Sequence, residues 1–477
     1  MNLGGVCRLQ NCLDEAVLCY RRAIEIDPNR AAAYNALGSA LRESGEIGSA
    51  IASFKKAVEL QPGFRVAHSN LVYAMHFDPD MTPEENFAEH LRWGSKLAEP
   101  LKAAIRPHGN TREPGRRLRI GYVSPDLRNH PVGLFMEPVL QRHHRGEFEI
   151  FCYADVRGND ELTQRLRSHA DVWRETAGLR DEQLAQLIRN DGIDILVDLT
   201  LHMLHNRLLV FAQKPAPVQI THLAYCATSG MSAMDWCITD RHMSPPGVYE
   251  RYFTEKLLRL GESYWCYVAP ANGPAVGPLP ASRNGFITFG CLNSPAKLND
   301  RVIELWSRVM GAVAKSRLVI HAASDSVRER FIKAGISADR ISIHSYLPRG
   351  AYLNLYNQID IALDPFPFCG GTTSLDALWM GVPLVTLAGQ SPLSRTGVTL
   401  LTQIGEMDLI AANAEQYVRI AVDLTDDLMQ LAKLRGGLRE RVTRSSLMDA
   451  ARYTRDLEAA YRLAWKEWCG CVKGSRC

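Results

Sequence analysis

Residues 361–385 read IALDPFPFCGGTTSLDALWMGVPLV, and three kinds of structure succeed one another inside them. The apolar run at 361–363 reads as a buried strand, and a second run begins at Leu384. Between them, Gly370 and Gly371 let the backbone approach a ligand closely, and Thr372 and Thr373 stand at the start of a helix. Free N–H groups, the helix dipole and two hydroxyls at such a start favour a phosphate. Asp376 follows one turn later, placed to accept from ribose hydroxyls. Strand, glycine turn, helix and strand make one unit of a parallel α/β sheet. A merely capped helix is the plain alternative for Gly-Gly-Thr-Thr. The position late in an α/β region and the small-residue turn MGVP behind the helix favour the ligand.

Working outward, the alternation repeats on both sides. Downstream of Phe286, strands are expected at 286–291, 317–321, 341–343, 361–363 and 384–387. Helices are expected between them near 299–313, 325–334, 350–358, 373–380 and 394–404. An earlier alternation starts after Arg116, with strands at Ile120–Ser124, Glu149–Tyr153, Ile193–Leu199, Val218–Leu223 and Trp236–Thr239. Its helices fall near 134–145, 160–169, 181–190 and 206–213. The stretch PANGPAVGPLPASRN at 270–284 is the linker. Two doubly wound halves joined this way predict a ligand cleft between them, at the C-terminal ends of the strands. A last helix near 449–468 is expected to pack across the joint.

The first 75 residues repeat at a period of 34: Ala16, Tyr20, Ala23 and Pro28 recur as Ala50, Phe54, Ala57 and Pro62. Leu3 and Gly4 recur as Leu37 and Gly38. Small residues, an aromatic and a closing proline at this period are the tetratricopeptide signature. The chain opens inside a repeat, so a longer array is one expectation. So short an array is either a partner-binding groove or a helical cap over the α/β region. The expected organisation is therefore repeats at 1–75, a helical linker at 76–115, one Rossmann-like domain at 116–270, a second at 284–448, and a C-terminal helix and tail at 449–477.

Bulk properties exclude several classes. The 477 residues carry a formal net charge of +3 and are 46% hydrophobic, with no Lys/Arg stripe that a nucleic acid would need. No apolar run reaches membrane-spanning length, and MNLGGVCRLQNCLDEA lacks the layout of a signal peptide. Twelve cysteines are scattered, mostly inside apolar runs, as reduced thiols of a cytoplasmic protein are. No Cys/His pattern makes a metal site. Asp78 and Asp80 flank Pro79 ahead of the first strand, which makes them a turn rather than a metal motif.

Two further loops carry chemistry. GYVSPDLRNHPVG at 121–133 follows the first strand of the first half; Asp126 and His130 sit four apart in a loop stiffened by Pro125 and Pro131. A histidine there is suited to proton transfer near neutral pH. CLNSPAKLND at 291–300 follows the first strand of the second half, and its Lys297 is placed to neutralise a diphosphate leaving group. The catalytic region has no DxD-type motif to hold a metal for that role.

From Leu118 onward the chain resembles the O-linked N-acetylglucosamine transferase family, including its bacterial members and the plant SPINDLY branch. The segments that carry the likeness include RIGYVSPDLRNHPVG, FAQKPAPVQITHLAY, SGMSAMDWCITD, ALDPFPFCGGTTSLDALWMGVPLVT and SRTGVTLLTQIG. The leading repeats match that family's tetratricopeptide arm. The resemblance implies a GT-B fold, α/β with an all-α N-terminal region, and an inverting transfer of sugar from a UDP-sugar to protein Ser or Thr. It implies no metal and no cofactor beyond that co-substrate. His130 then matches the essential histidine and Asp126 the nearby acid. Lys297 matches the diphosphate-contacting lysine, and Ser294 belongs to the same nucleotide-sugar loop. Gly370, Gly371, Thr372, Thr373 and Asp376 match the phosphate- and ribose-binding set. Leu347 and Arg349 of YLPR match the loop holding the uracil edge, and Tyr352 stands where a histidine often stacks by the base.

The sugar end departs from the family. LAYCAT at 223–228 replaces LGYPGT, so Ala224 and Cys226 stand for a glycine and a proline, with Tyr225 between them and Pro131 facing the same pocket. DLTLHM replaces DLAGHT, with Leu201 for glycine. N-acetylglucosamine from UDP-GlcNAc is the expected donor sugar; GDP-fucose to Ser/Thr and UDP-glucose to Asn are alternatives within the fold. A non-catalytic tetratricopeptide scaffold and a nucleotide-sugar epimerase are alternatives of other classes. Protein acceptors, engaged through the repeats, are the expected partners.

Overall fold

Apolar runs form strands where the sequence predicts them, in a computed structural model that describes residues 1–270, 272–322 and 325–470. The first sheet holds β1 (Leu118–Ser124), β2 (Phe148–Ala154), β3 (Val172–Glu175), β4 (Ile195–Asp198), β5 (Val218–Thr221), β6 (Trp236–Asp240) and β7 (Lys256–Leu260). Its strand order is β3-β2-β1-β4-β5-β6-β7, parallel throughout. The second holds β8 (Thr288–Cys291), β9 (Arg317–His321), β10 (Ile341–His344), β11 (Ile361–Leu363), β12 (Leu384–Leu387) and β13 (Ile410–Ala411). These are also parallel, in the order β10-β9-β8-β11-β12-β13. β3, β7 and β13 are not among the expected strands. All three are sheet edges, where one side lacks a neighbour and no continuous apolar run is required.

Register is set partly by a repeated carboxylate device. Asp171, Asp194, Asp235 and Asp360 each sit one residue ahead of a strand. Each accepts from a backbone amide of the adjacent strand (Ile150, Arg119, Gln219 and Thr288) at 2.7–2.8 Å. A donor at a buried strand start would otherwise go unsatisfied.

The chain forms two compact units that do not follow the expected order. One joins Met1–Thr82 to Ala269–Ser445, and the other joins residues 83–268 to the segment from Ser446. The expected helical linker at 76–115 is thus divided at Thr82/Pro83, and its helix Pro83–Trp93 goes with the first sheet. The linker at 270–284 contains a short helix, Pro280–Asn284, and its residue 271 lies outside the described residues. So does the tail at 471–477.

The final helix, Ala450–Trp468, belongs to the first sheet's unit. Its Tyr453 hydroxyl donates to the Tyr264 carbonyl at 2.8 Å, its Tyr461 hydroxyl meets that of Tyr122 at 3.2 Å, and its Glu458 accepts from the His144 amide at 2.7 Å. Two further helices, Ala414–Asp423 and Leu428–Arg444, lie beyond those expected.

The repeats fold as helices Asn2–Leu9, Leu13–Ile26, Ala31–Ser44, Ile47–Leu60 and Arg65–Met75. Equivalent positions make equivalent contacts. A Cβ on Gly4 would lie 2.7 Å from the Tyr20 ring, and one on Gly38 would lie 2.7 Å from the Phe54 ring. Glycine at each position is what lets the paired helix bring its aromatic ring in. Ala16, Ala50 and Ala57 are completely buried for the same reason. Within this unit the repeat core continues onto the second sheet's domain, taking in Ala296 and Phe368.

Candidate active site

In an open parallel sheet the ligand position is the point where the strand order reverses, outside the carboxyl ends of the strands. In the second sheet that point lies between β8 and β11. The loops leaving these strands are Leu292–Asn299 and Asp364–Gly371, and the structure brings their polar groups together. Lys297 Nζ donates to the Cys369 carbonyl at 2.7 Å and to Asn293 Oδ1 at 3.2 Å, and lies 4.5 Å from the centre of the Phe368 ring. Thr373 Oγ1 donates to the same Asn293 oxygen at 2.6 Å. Burial lowers the Lys297 pKa from its ordinary value, and the Asp364 carboxylate opposes that shift.

Asp364 organises the turn from beneath. It accepts from the Gly370 amide at 2.8 Å, Thr386 Oγ1 at 2.8 Å and Ser374 Oγ at 3.2 Å. Burial raises its pKa, and these donors with Lys297 hold it down. Gly370 is obligatory, because a Cβ there would lie 2.8 Å from Thr373 Oγ1 and collide with Ser374 Oγ. The helix Thr372–Trp379 then starts at Gly371 with no side-chain cap, and Thr373 in its first turn shares the Asn293 oxygen with the Lys297 cation. That is the geometry of an anion site.

Two expectations change here. Asp376 is completely buried, and both its oxygens accept from Arg349, at 2.6 Å each. Asp376 therefore fixes the helix Arg349–Leu355 to the Thr372 helix, its carboxylate facing two Arg349 nitrogens rather than open solvent. Tyr352 joins the same brace: its hydroxyl meets Tyr356 at 3.0 Å, and Tyr356 donates to the Thr373 carbonyl at 2.9 Å. Leu347 is half-buried in the loop after β10. Ser294 is exposed and contributes its carbonyl, which accepts from the Lys297 amide at 3.0 Å.

In the first sheet the order reverses between β1 and β4. His130 caps the helix Pro131–Arg142, its Nδ1 accepting from the Val132 amide at 3.3 Å. Asp126 is buried, with Oδ2 at 3.7 Å from that Nδ1, too long for a hydrogen bond, and with Oδ1 accepting from Arg128 at 2.9 Å. Burial lowers the His130 pKa, Asp126 raises it and Arg128 lowers it. Burial and Arg128 thus favour the neutral imidazole, and Asp126 opposes them. Pro131 is exposed at the first helical position.

The LAYC turn differs from expectation as well. Leu223 has φ +77°, and Ala224 is half-buried. Cys226 is buried with its sulfur 4.0 Å from the Ile238 carbonyl, so it packs into the sheet instead of lining an open pocket. Tyr225 is buried too, its hydroxyl accepting from the His202 amide at 3.3 Å. Glu255, at the foot of β7, holds the following turn: it accepts from Thr228 Oγ1 and the Ser229 amide, both at 2.7 Å.

Sequence reasoning does not single out Asn293, Asp364, Arg128 or Glu255. Asp364 ends a strand in IALDPF, and that position is the one signal that could have marked it. Asn293 and Glu255 carry no motif, and only the fold shows what they touch.

The model for Glycosyl transferase family 41 matches residues 97–267 and 280–457. This chain belongs to that family. TPR repeat models match residues 4–41 and 31–64. Several curated relatives are named probable UDP-N-acetylglucosamine–peptide N-acetylglucosaminyltransferase SPINDLY. The one from Petunia hybrida is 36% identical over 85% of this chain and 44% of its own length. The one from Hordeum vulgare is 37% identical over the same two shares. The chain thus spans less than half the length of these relatives. A solved structure of a mutant Thermobaculum terrenum O-GlcNAc transferase superposes with a TM-score of 0.93 at 39% identity, covering 98% of this chain and 90% of that one. The fold is GT-B, two Rossmann-like sheets preceded by tetratricopeptide helices.

Proposed function

We propose that this family 41 protein transfers N-acetylglucosamine from UDP-GlcNAc to Ser or Thr hydroxyls of protein acceptors, with inversion and without a metal. The observation that carries the reading is the cradle at β8/β11, where Lys297, Asn293 and Thr373 share hydrogen bonds beside an uncapped helix start. The names of these relatives support the donor and acceptor classes. In this reading Lys297 and the amides of the Thr372 helix receive the charge that develops on the departing diphosphate, the role a metal would otherwise fill.

The acceptor hydroxyl attacks the anomeric carbon, and its proton passes to neutral His130. Nδ1 accepts from the Val132 amide, which places the proton of the neutral ring on Nε2, so Nε2 takes the acceptor's proton only once that cap opens and the ring proton stands on Nδ1. The repeats engage the protein acceptor. Buried thiols such as Cys152, Cys237 and Cys291 support cytoplasmic residence.

A thermal-shift panel of UDP, GDP, UDP-GlcNAc, UDP-glucose and GDP-fucose tests the donor, because the preferred diphosphate stabilises most. Intact-mass analysis of acceptor proteins incubated with the best donor tests transfer. Preference for GDP over UDP would replace the donor. Strong nucleotide binding with neither transfer nor donor hydrolysis would overturn the enzymatic reading.

A further inference from the structure

Behind the cradle lies an aromatic stack that begins in the repeat arm. Phe77, just past the last repeat helix and buried, stacks on Phe368 with ring centres 4.7 Å apart and planes at 25°. Phe368 is the ring over which Lys297 Nζ sits. Tyr73 closes edge-on against both rings, at 5.1 Å and 6.2 Å, and Arg42 covers Tyr73 at 5.2 Å.

The arm also grips the lysine's own loop. Ala296, next to Lys297, is buried in the repeat core, and a Cβ on Gly45 (φ +90°) would lie 2.8 Å from the Pro295 carbonyl. Asn299 Nδ2 donates across the same seam, to the Phe366 carbonyl at 2.6 Å and the Phe77 carbonyl at 3.4 Å. Both loops that build the cradle are thus held from behind by repeat residues.

We propose that Phe77 and Phe368 are positioning residues, through which the repeat arm fixes the Lys297 ammonium in the nucleotide cradle. The inference rests on Lys297 meeting the diphosphate. A lysine side chain has four rotatable bonds, and two hydrogen bonds alone leave Nζ room to swing out to water. A ring face beneath the ammonium removes that freedom and attracts the charge. Phe368 occupies that place only while Phe77 backs it. A ligand on the repeats that disturbed Phe77 would therefore change the affinity for the nucleoside diphosphate without touching it.

The test uses the full chain and UDP calorimetry on Phe77→Leu, Phe368→Leu, Phe368→Tyr, Lys297→Met and the double variant Phe77→Leu/Lys297→Met, with folding checked by thermal unfolding. Removing either ring should weaken UDP about fivefold, while Phe368→Tyr, which keeps the ring, should stay near the parent. The double variant should bind UDP no more weakly than Lys297→Met alone. Equal losses from Phe77→Leu in both backgrounds would mean mere structural support and overturn the proposal. A second readout is the pH dependence of Lys297 acylation, followed by mass spectrometry. It should shift toward that of an ordinary lysine in Phe77→Leu, and an unshifted profile would also overturn the proposal. If Lys297→Met leaves UDP binding intact, the leaving-group assignment fails, and the acylation profile still decides whether Phe77 controls the lysine.

Discussion

Arg349 closes both carboxylate oxygens of the buried Asp376 with a pair of 2.6 Å bonds, bracing two helices of the nucleotide domain against each other. Arg349→Ala would leave that carboxylate without its cation. Removing one partner of a buried pair costs about 3–5 kcal/mol. Because the Arg349 side chain is 40% exposed, a loss of about 2–3 kcal/mol is expected in urea unfolding. Arg349→Lys should rescue little, since a single ammonium does not span two oxygens. A variant as stable as the parent would show that the brace contributes nothing.

Lys297 and His130 should separate by what they disturb. Lys297→Ala should lower kcat by about 10²–10³ and also weaken UDP. His130→Ala should abolish transfer and leave UDP affinity nearly unchanged. Lost UDP binding in the histidine variant, or an active lysine variant, would contradict these roles.

The pH profile of kcat/KM should move in opposite directions for the two neighbours of His130. The imidazole acts neutral, so activity rises as pH climbs through its pKa, which burial holds below the ordinary 6.5. Arg128 lowers that pKa, so Arg128→Ala should move the acidic limb to higher pH. Asp126 raises it, so Asp126→Asn should move the limb to lower pH while reducing the plateau. Identical limbs in all three proteins would remove His130 from the proton path.

His222 should make the fold acid-sensitive. It is buried in the first sheet's unit, with its pKa pushed down to about 3, while the unfolded chain protonates near 6.5. Between those values the unfolded state binds a proton that the folded state refuses, so stability falls as pH drops, by about 1.4 kcal/mol per unit. Asp198 works the other way: burial pushes its pKa up to about 6, so it adds stability as pH falls from there toward the ordinary carboxylate range. His222→Gln should therefore lose less stability than the parent between pH 6.5 and 5 in urea titrations. Parallel losses would show that His222 is protonated in the folded state.

Much of the fold is legible because buried parallel strands must be apolar on both faces, as ILVD at β4 and TFGC at β8 are. Edge strands such as β3, with VWRE, escape because half their surroundings are water. The Gly-Gly-Thr-Thr turn is legible because the hydroxyls of the helix start that follows leave little room for a side chain at Gly370. Asp376 misleads for a reason of the same kind. Helical spacing places a carboxylate on a face but does not say which cation from a distant segment will reach it first. Cys226 shows the converse: a residue expected at a pocket wall lies buried against the Ile238 carbonyl, which the letters alone do not reveal.

The division of the chain into units bears on its synthesis. The repeat arm ends at Thr82, and the domain it packs against begins at Ala269. At about 5–20 residues per second the arm emerges roughly ten to forty seconds before its partner surface exists. Through that interval Tyr73, Met75 and Phe77 have no second domain to cover them. The first sheet meets a similar delay, because its closing helix, with Tyr453, Tyr461 and Trp465, is made only after the whole of Ala269–Ser445. Each unit thus completes its packing only after a stretch of the other has been made in between, and the nascent repeat arm waits with its aromatic seam uncovered.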